Sequence, residues 1–360
     1  MPDIPLPWPD RSHGCCGLGL WLGRGDLVPG HSRIRSVKRR ELLAVALAAA
    51  VDPSRVLAAA SGGEPVALVT ADLESHVAVV DLSSGRIVKR IRTAPGPRSV
   101  ESSSFGQVVV AHIPAGVVTI VDSTTLTVRS VLHGFGEPRY TAMHPGAPLA
   151  YVSDSKLGEV VTIDLDRGRV VHRTRVPGPA RHLSVDAGTM LWTVLGSAAE
   201  RVAALDLVDP RAPKLRRVFQ PPFRAHDVVF APDGEHVWIT SGARNTLAIY
   251  RLSGGAPHLV ATGAPPQHVA FAGDRVYVAC GQDGTVQRRR LDGAPERATR
   301  VPHGSYNVTF GGVEQTFGRP SVVTPSLNEG TVAVLEPGGA VRFVRHLTRS
   351  AHDACVAVAG

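Results

Sequence analysis

Seven copies of one short unit run along this 360-residue chain, and that recurrence limits what it can fold into more than any other feature. The plainest copy spans Tyr151 to Val176. It reads Tyr151-Val152-Ser153-Asp154, a polar turn, Val160-Val161-Thr162-Ile163-Asp164, a turn at Asp166-Arg167-Gly168, and a last apolar-rich run. The third strand of each unit ends at Asp81, Asp122, Asp164, Asp206, Arg251, Arg290 and Glu336, giving spacings of 41, 42, 42, 45, 39 and 46. Asp closes the first four, where its carboxylate can bond the amides of the following turn. The sixth, Val286 to Arg290, is polar after its first residue, and a solvent-facing or poorly formed strand is expected there.

A second strand precedes each of these. Val108-Val109-Val110-Ala111, Leu191-Trp192-Thr193-Val194 and Val237-Trp238-Ile239-Thr240 are examples. β-Branched and aromatic residues dominate them, as buried strands require. No helical period of useful length separates the strands after residue 61, which argues against an α/β fold. Repeats of about 40 residues built from short strands point to a β-propeller. The expected fold is therefore all-β, with seven four-stranded antiparallel blades. The last segment, Ala351-His352-Asp353-Ala354-Cys355-Val356, has the pattern of an innermost strand, Ala225-His226-Asp227-Val228-Val229-Phe230, and the first repeat has none of its own. The C-terminus is thus expected to supply the first blade's inner strand and close the ring.

Tyr151-Val152-Ser153-Asp154, Val160 to Asp164 and Gly168-Arg169-Val170-Val171 resemble the YVTN-type propeller repeat, and Ala225 to Gly234 is similar to its inner-strand portion. The resemblance covers about residues 64–358. It implies the fold; because such propellers include surface proteins, binding modules and enzymes, it does not choose among activities.

Residues 1–35 are rich in Pro, Gly and Arg and read as a disordered or mis-annotated extension. Residues 36–60 combine Lys38-Arg39-Arg40, an apolar run from Leu42 to Val51 and Ala58-Ala59-Ala60, the pattern of an export signal cleaved near Ala60. Arg39-Arg40 with Leu42-Leu43 resembles a twin-arginine signal, although Lys38 stands where Ser or Thr is usual. The apolar run is too short to span a bilayer, so a mature, exported domain over 61–360 without a membrane span is expected. The net charge of +8 is spread along the chain, with eight Lys/Arg and five Asp/Glu in the first 60 residues. No basic run with interleaved aromatics occurs, so nucleic acid is not an expected partner. Of four cysteines, Cys15 and Cys16 lie in the extension, while Cys280 and Cys355 sit in apolar runs and read as buried thiols.

The inner strands carry the functional signal. Their first polar position holds Arg98, Arg139, Arg181, His226, Gln267, Tyr306 and His352. Their second holds Ser99, Tyr140, His182, Asp227, His268, Asn307 and Asp353. Histidine occupies four of these fourteen places, although it makes up only 15 of 360 residues. Such a ring at one channel mouth would suit a small anionic molecule or a protein partner bound by a monomer, without chemistry. His226-Asp227 and His352-Asp353 could instead furnish ligands for a divalent metal ion, or an acid–base pair. In an enzyme of propeller type, a lactone hydrolase or lyase, His226, His268 or His352 with Asp227 and Asp353 would do the proton transfer. Arg98, Arg139 and Arg181 would stabilise the anion. The same residues also suit a structural role, bonding the carbonyls of neighbouring strands. Loops such as Asp72-Leu73-Glu74, Ser153-Asp154-Ser155-Lys156, Gln282-Asp283-Gly284 and Ser326-Leu327-Asn328-Glu329 are expected to open on the same mouth. No Gly-x-Ser-x-Gly, His-Glu-x-x-His or phosphate-cradling glycine loop occurs.

N-terminal sequencing of the native, exported product is expected to begin just after Ala60; a peptide from within residues 1–30 in that product would overturn the reading of the N-terminal segments.

Overall fold

A computed structural model describes residues 63–360 apart from 197–200, 313–314 and 317. The segments expected to be an extension and an export signal, with Cys15 and Cys16, lie outside the described residues. Seven separate four-stranded antiparallel sheets make up the described chain. Six use consecutive strands. The seventh pairs the C-terminal strand Ala351–Ala359 with Glu64–Ala71, followed by His76–Asp81 and Ile87–Arg92. This sheet, blade 1, holds both ends of the propeller. Pairing runs from Glu64 opposite Ala359 to Ala71 opposite Ala351, with one irregularity between Val69 and Ala71. The ring is therefore closed by main-chain hydrogen bonds between segments almost 300 residues apart, and no blade edge is left open there.

The second and third strands of each blade are the valine-rich runs, and they are buried on both faces. Gln107–His112 and Leu149–Asp154 are buried at every position. Continuous apolar runs are what a strand between two packed sheets needs, whereas a strand with one wet face alternates. The core accordingly lies between blades rather than within one. Val66, Leu68, Val77 and Val79 of blade 1 pack with Val100, Val108, Val110 and Val121 of blade 2. Trp192 and Trp238, nearly inaccessible to solvent, fill the same kind of space. Trp192 meets Phe219 and Phe230 edge-on, at ring separations of 5.1 and 5.5 Å. Outermost strands are largely exposed and rich in Arg, Lys and Thr, as in Pro295–Arg300. Six of the seven pairings between third and outermost strand carry a register shift. Such bulges raise the local twist, which a blade in a closed ring requires.

The turn carboxylates act as their positions imply. Oδ1 of Asp81, Asp122 and Asp164 accepts from the amides of Ser84, Thr125 and Arg167 at 2.5, 2.8 and 2.9 Å. Cys280 and Cys355 are free, buried thiols.

The sixth unit corrects the expectation of a poorly formed strand. Thr285–Arg290 is a regular strand paired on both sides, and Arg289 is only 3% exposed. Its polar residues bond one another, the carbonyl of their own turn and carbonyls of neighbouring blades. Arg289 donates to Gly293 O, Ala261 O and Gln287 Oε1, Gln287 donates to Thr262 O, and Arg288 donates to Pro337 O. This strand joins its neighbours by hydrogen bonds where the others use valine contacts.

Because blade 1 needs both ends of the chain, removing residues 350–360 is expected to lower the melting temperature of the whole domain by more than about 10 °C, or to prevent folding. Circular-dichroism melts of the truncated and full domains check this, and superimposable curves would contradict strand closure.

Candidate functional site

Each inner strand begins with a polar pair, and the repeat itself places that pair. The hydroxyl that ends the second strand in four blades bonds the main chain of the second polar position. Thr70 Oγ1 accepts from Asp353 N at 2.9 Å, Ser153 Oγ from Tyr140 N at 3.1 Å and Thr240 Oγ1 from Asp227 N at 3.1 Å. Thr324 Oγ1 donates to Asn307 O at 2.6 Å. In blades 1 to 4 the inner-strand ladder is irregular at these residues. Such breaks re-aim side chains.

The consequence is a sorting of the two positions. Every second-position residue — Ser99, Tyr140, His182, Asp227, His268, Asn307 and Asp353 — lines one cavity of about 310 Å³ on the axis of the ring. First-position residues lie around it, several of them bonded to the loops between second and third strands. Arg98 Nη1 is 3.4 Å from Asp72 Oδ2, and Arg139 Nε donates to Ser155 Oγ at 2.8 Å. Gln267 donates to Gly242 O at 3.1 Å, and His352 Nδ1 donates to Arg98 O at 2.8 Å. Those two side chains act on the backbone, as the structural alternative held. Tyr306 packs against Gly281, where no Cβ would fit. Asp154, fully buried, accepts from the amides of Gly136, Glu137, Lys156 and Leu157, so this loop is clamped rather than free.

Three histidines converge. His182 Nε2 lies 3.1 Å from His268 Nε2, and one ring nitrogen from each of His182, His226 and His268 falls within 4.8 Å of the others. His268 Nδ1 is 3.2 Å from Asp227 Oδ2. Tyr140 lies against His182 with ring centroids 3.5 Å apart and the planes tilted by 33°. The pairings His226-Asp227 and His352-Asp353 suggested by sequence adjacency do not form: Asp227 serves His268, and Asp353 accepts from Val100 N at 3.0 Å and Asn307 Nδ2 at 2.5 Å. Gly242, at φ +65°, leaves room for the His226 ring, since a Cβ there would come within 2.7 Å of it.

Burial governs the charge states. It holds His182 well below the usual histidine range, with the charges of His268 and His226 adding to the effect. It brings His226 down to about 4, with His268 the next cause. His352 is held well below the usual range by burial and then by Arg98. Burial raises Asp353 to about 6, against the hydrogen bonds it accepts. These histidines are therefore neutral at pH 7.

Glu101 was not legible as a site residue. It lines the cavity two residues beyond Ser99, and burial, followed by the Asp353 charge, lifts it to about 8. Strand alternation was the available signal: residues i and i+2 face the same side, so the position after each second-position residue but one belongs to the wall. Ser184 and Thr309 follow the same rule.

The architecture and its site together define a seven-bladed β-propeller with a polar axial cavity. No family model matches the chain, and no curated protein matches it. Among solved structures it is similar to hydrazine synthase of Kuenenia stuttgartiensis (15% identity, TM-score 0.64, 74% of this chain and 90% of that one). It is also similar to apo AztD from Citrobacter koseri (10%, 0.63, 82% and 98%) and to a streptogramin B lyase (9%, 0.58, 70% and 83%). At these identities the likeness is one of fold. Among the described residues, no helix is long and apolar enough to cross a membrane.

Glu101 gives a pH signature. An acid raised in the folded state favours folding below its unfolded value, near 4.5, and that contribution is lost as pH rises through about 8. The melting temperature of the native domain is expected to fall between pH 5 and 9 by a few degrees more than that of Glu101→Gln. Parallel curves for the two proteins would place the Glu101 carboxyl in water.

Proposed function

We propose that this chain is an exported, monomeric, non-catalytic propeller that binds a small anionic molecule in its axial cavity. One observation carries the reading: Arg98 and Arg181, on inner strands around the cavity, each hold an unused donor. The Nε atoms of both are buried without a hydrogen-bond partner. Both charges reach the His226 ring. A buried N–H without an acceptor is costly, and a carboxylate or phosphate oxygen is the acceptor that guanidinium geometry fits best. The cavity volume lies at the lower end for small-ligand pockets. Tyr151-Val152-Ser153-Asp154 and its equivalents support kinship with YVTN-type propellers, and the Lys38-to-Ala60 segment supports export. A protein partner docking over the mouth would meet the same arginines.

A second reading, a lactone hydrolase or lyase, draws on His226. Its ring is neutral at pH 7 and so carries a lone pair, although a histidine held at about 4 is a weak base there. The likeness in fold to a streptogramin B lyase is compatible with it. Against nucleophilic chemistry, the cavity hydroxyls of Ser99 and Thr141 bond each other at 3.0 Å rather than a histidine.

A thermal-shift screen of the full chain with organic acids, sugar acids, phosphate and lactones is expected to show stabilisation by anions, weakened about tenfold or more in apparent affinity by Arg181→Gln, with neutral analogues inert. Turnover of a lactone would favour the enzyme. Absence of any shift with every anion would sink the binding reading.

A further inference from the structure

We propose that His182, His226 and His268 form a binding site for one divalent transition-metal ion of the zinc and cobalt class, with a coordination position left open to the axial cavity. The proposal rests on the cavity reading for that open position, but it needs no organic ligand.

The geometry is that of a ligand set. Zinc–nitrogen bonds of about 2.0–2.1 Å at a tetrahedral centre place two ligand nitrogens about 3.3 Å apart. His182 Nε2 and His268 Nε2 already stand at 3.1 Å, and one ring nitrogen from each of the three histidines falls within 4.8 Å of the others. Ring rotation that brings the His226 nitrogen closer would complete the set. The three side chains come from adjacent blades 4, 5 and 6, held by inner strands whose backbone is fixed by the ring. Their separation is thus set by tertiary packing, and a flexible surface cluster would not hold it.

The tautomers agree with this assignment. Asp227 Oδ2 stands 3.2 Å from His268 Nδ1, on the side of the ring away from His182. A carboxylate behind the far nitrogen of a ligating histidine is the usual orienting partner at metal sites. Without a cation, one of the two facing Nε2 atoms, 3.1 Å apart, must carry a proton toward the other. His182 Nδ1 is buried with no hydrogen-bond partner, on a residue only 4% exposed. With a metal between the rings neither Nε2 needs a proton, and one ion takes both lone pairs at once.

Asp353 and His352 are not ligands, since both are committed to protein partners. Three histidines with no thiolate suit zinc, cobalt, nickel or copper rather than calcium or magnesium. A three-ligand site keeps a place for water or for an anionic oxygen.

The test uses the full chain, stripped with a chelator and titrated with cobalt(II) while visible absorption is followed. One cobalt per chain, with the intense band of a low-coordinate nitrogen-ligated ion and displacement by zinc, is expected. His182→Gln and His268→Gln should each weaken binding by about a hundredfold, and Asp227→Asn by about tenfold, while His258→Ala on the exposed outer strand changes nothing. Circular dichroism confirms that each variant is folded; were one glutamine variant unfolded, the other and Asp227→Asn decide. No cobalt band from the folded native chain overturns the proposal. So does undiminished binding in the folded histidine variants, which would place the ion elsewhere, for instance at Cys15 and Cys16. A melting shift with organic anions but none with cobalt or zinc overturns the metal site and leaves the anion reading standing. The converse result upholds the metal site alone.

Discussion

The pairing of Ala351–Ala359 with Glu64–Ala71 is the constraint on which the rest depends. Each blade buries its valine faces only against its neighbours, so a ring with a gap would leave two apolar faces in water. Closure removes both. It also brings Asp353 into the axial wall and sets His352 against Arg98, so one strand completes both the core and the cavity. Stability and site are therefore coupled through one set of main-chain hydrogen bonds.

That coupling explains the chemistry of the axis. Seven inner strands converge, and their side chains have nowhere to go except toward one another. Polar residues placed there lose water and must find partners or shift their charge state. Asp353 finds amide donors, and Gln267 and His352 find carbonyls. Glu101 stays protonated over much of the neutral range, and His182 and His226 remain neutral. Groups of the inner strands left with unused capacity include Arg98, Arg181, His182 and Gln267. His182 lines the cavity and the others lie around it, and function is most economically sought there.

The repeat unit and the site divide the labour within a blade. Valines of the second and third strands build the interfaces, and carboxylates such as Asp81 and Asp122 shape the outer turns. The terminal hydroxyls Thr70, Ser153, Thr240 and Thr324 set the backbone of the inner strand. The sixth blade shows that the scaffold tolerates a different solution, with Gln287 and Arg289 replacing apolar contacts by bonds to Ala261 and Thr262 carbonyls. Polarity in a strand did not mean exposure there, because a long side chain can carry its polar end to a neighbour's backbone.

The blade count, the second and third strands and the identity of the closing strand were legible in the amino-acid sequence. All three rest on local periodicity and on the spacing of like segments, properties that a linear chain records. The polar character of the inner strands was legible for the same reason. Which polar group meets which was not. Adjacency in sequence paired His226 with Asp227, but neighbouring residues on an extended chain point apart, and Asp227 reaches His268 of the next blade instead. Glu101 was overlooked because its meaning lies in burial, and burial is created only when seven strands close around it. The convergence of His182, His226 and His268 from three blades, 86 residues apart at its extremes, is a distance in space that only the closed ring decides.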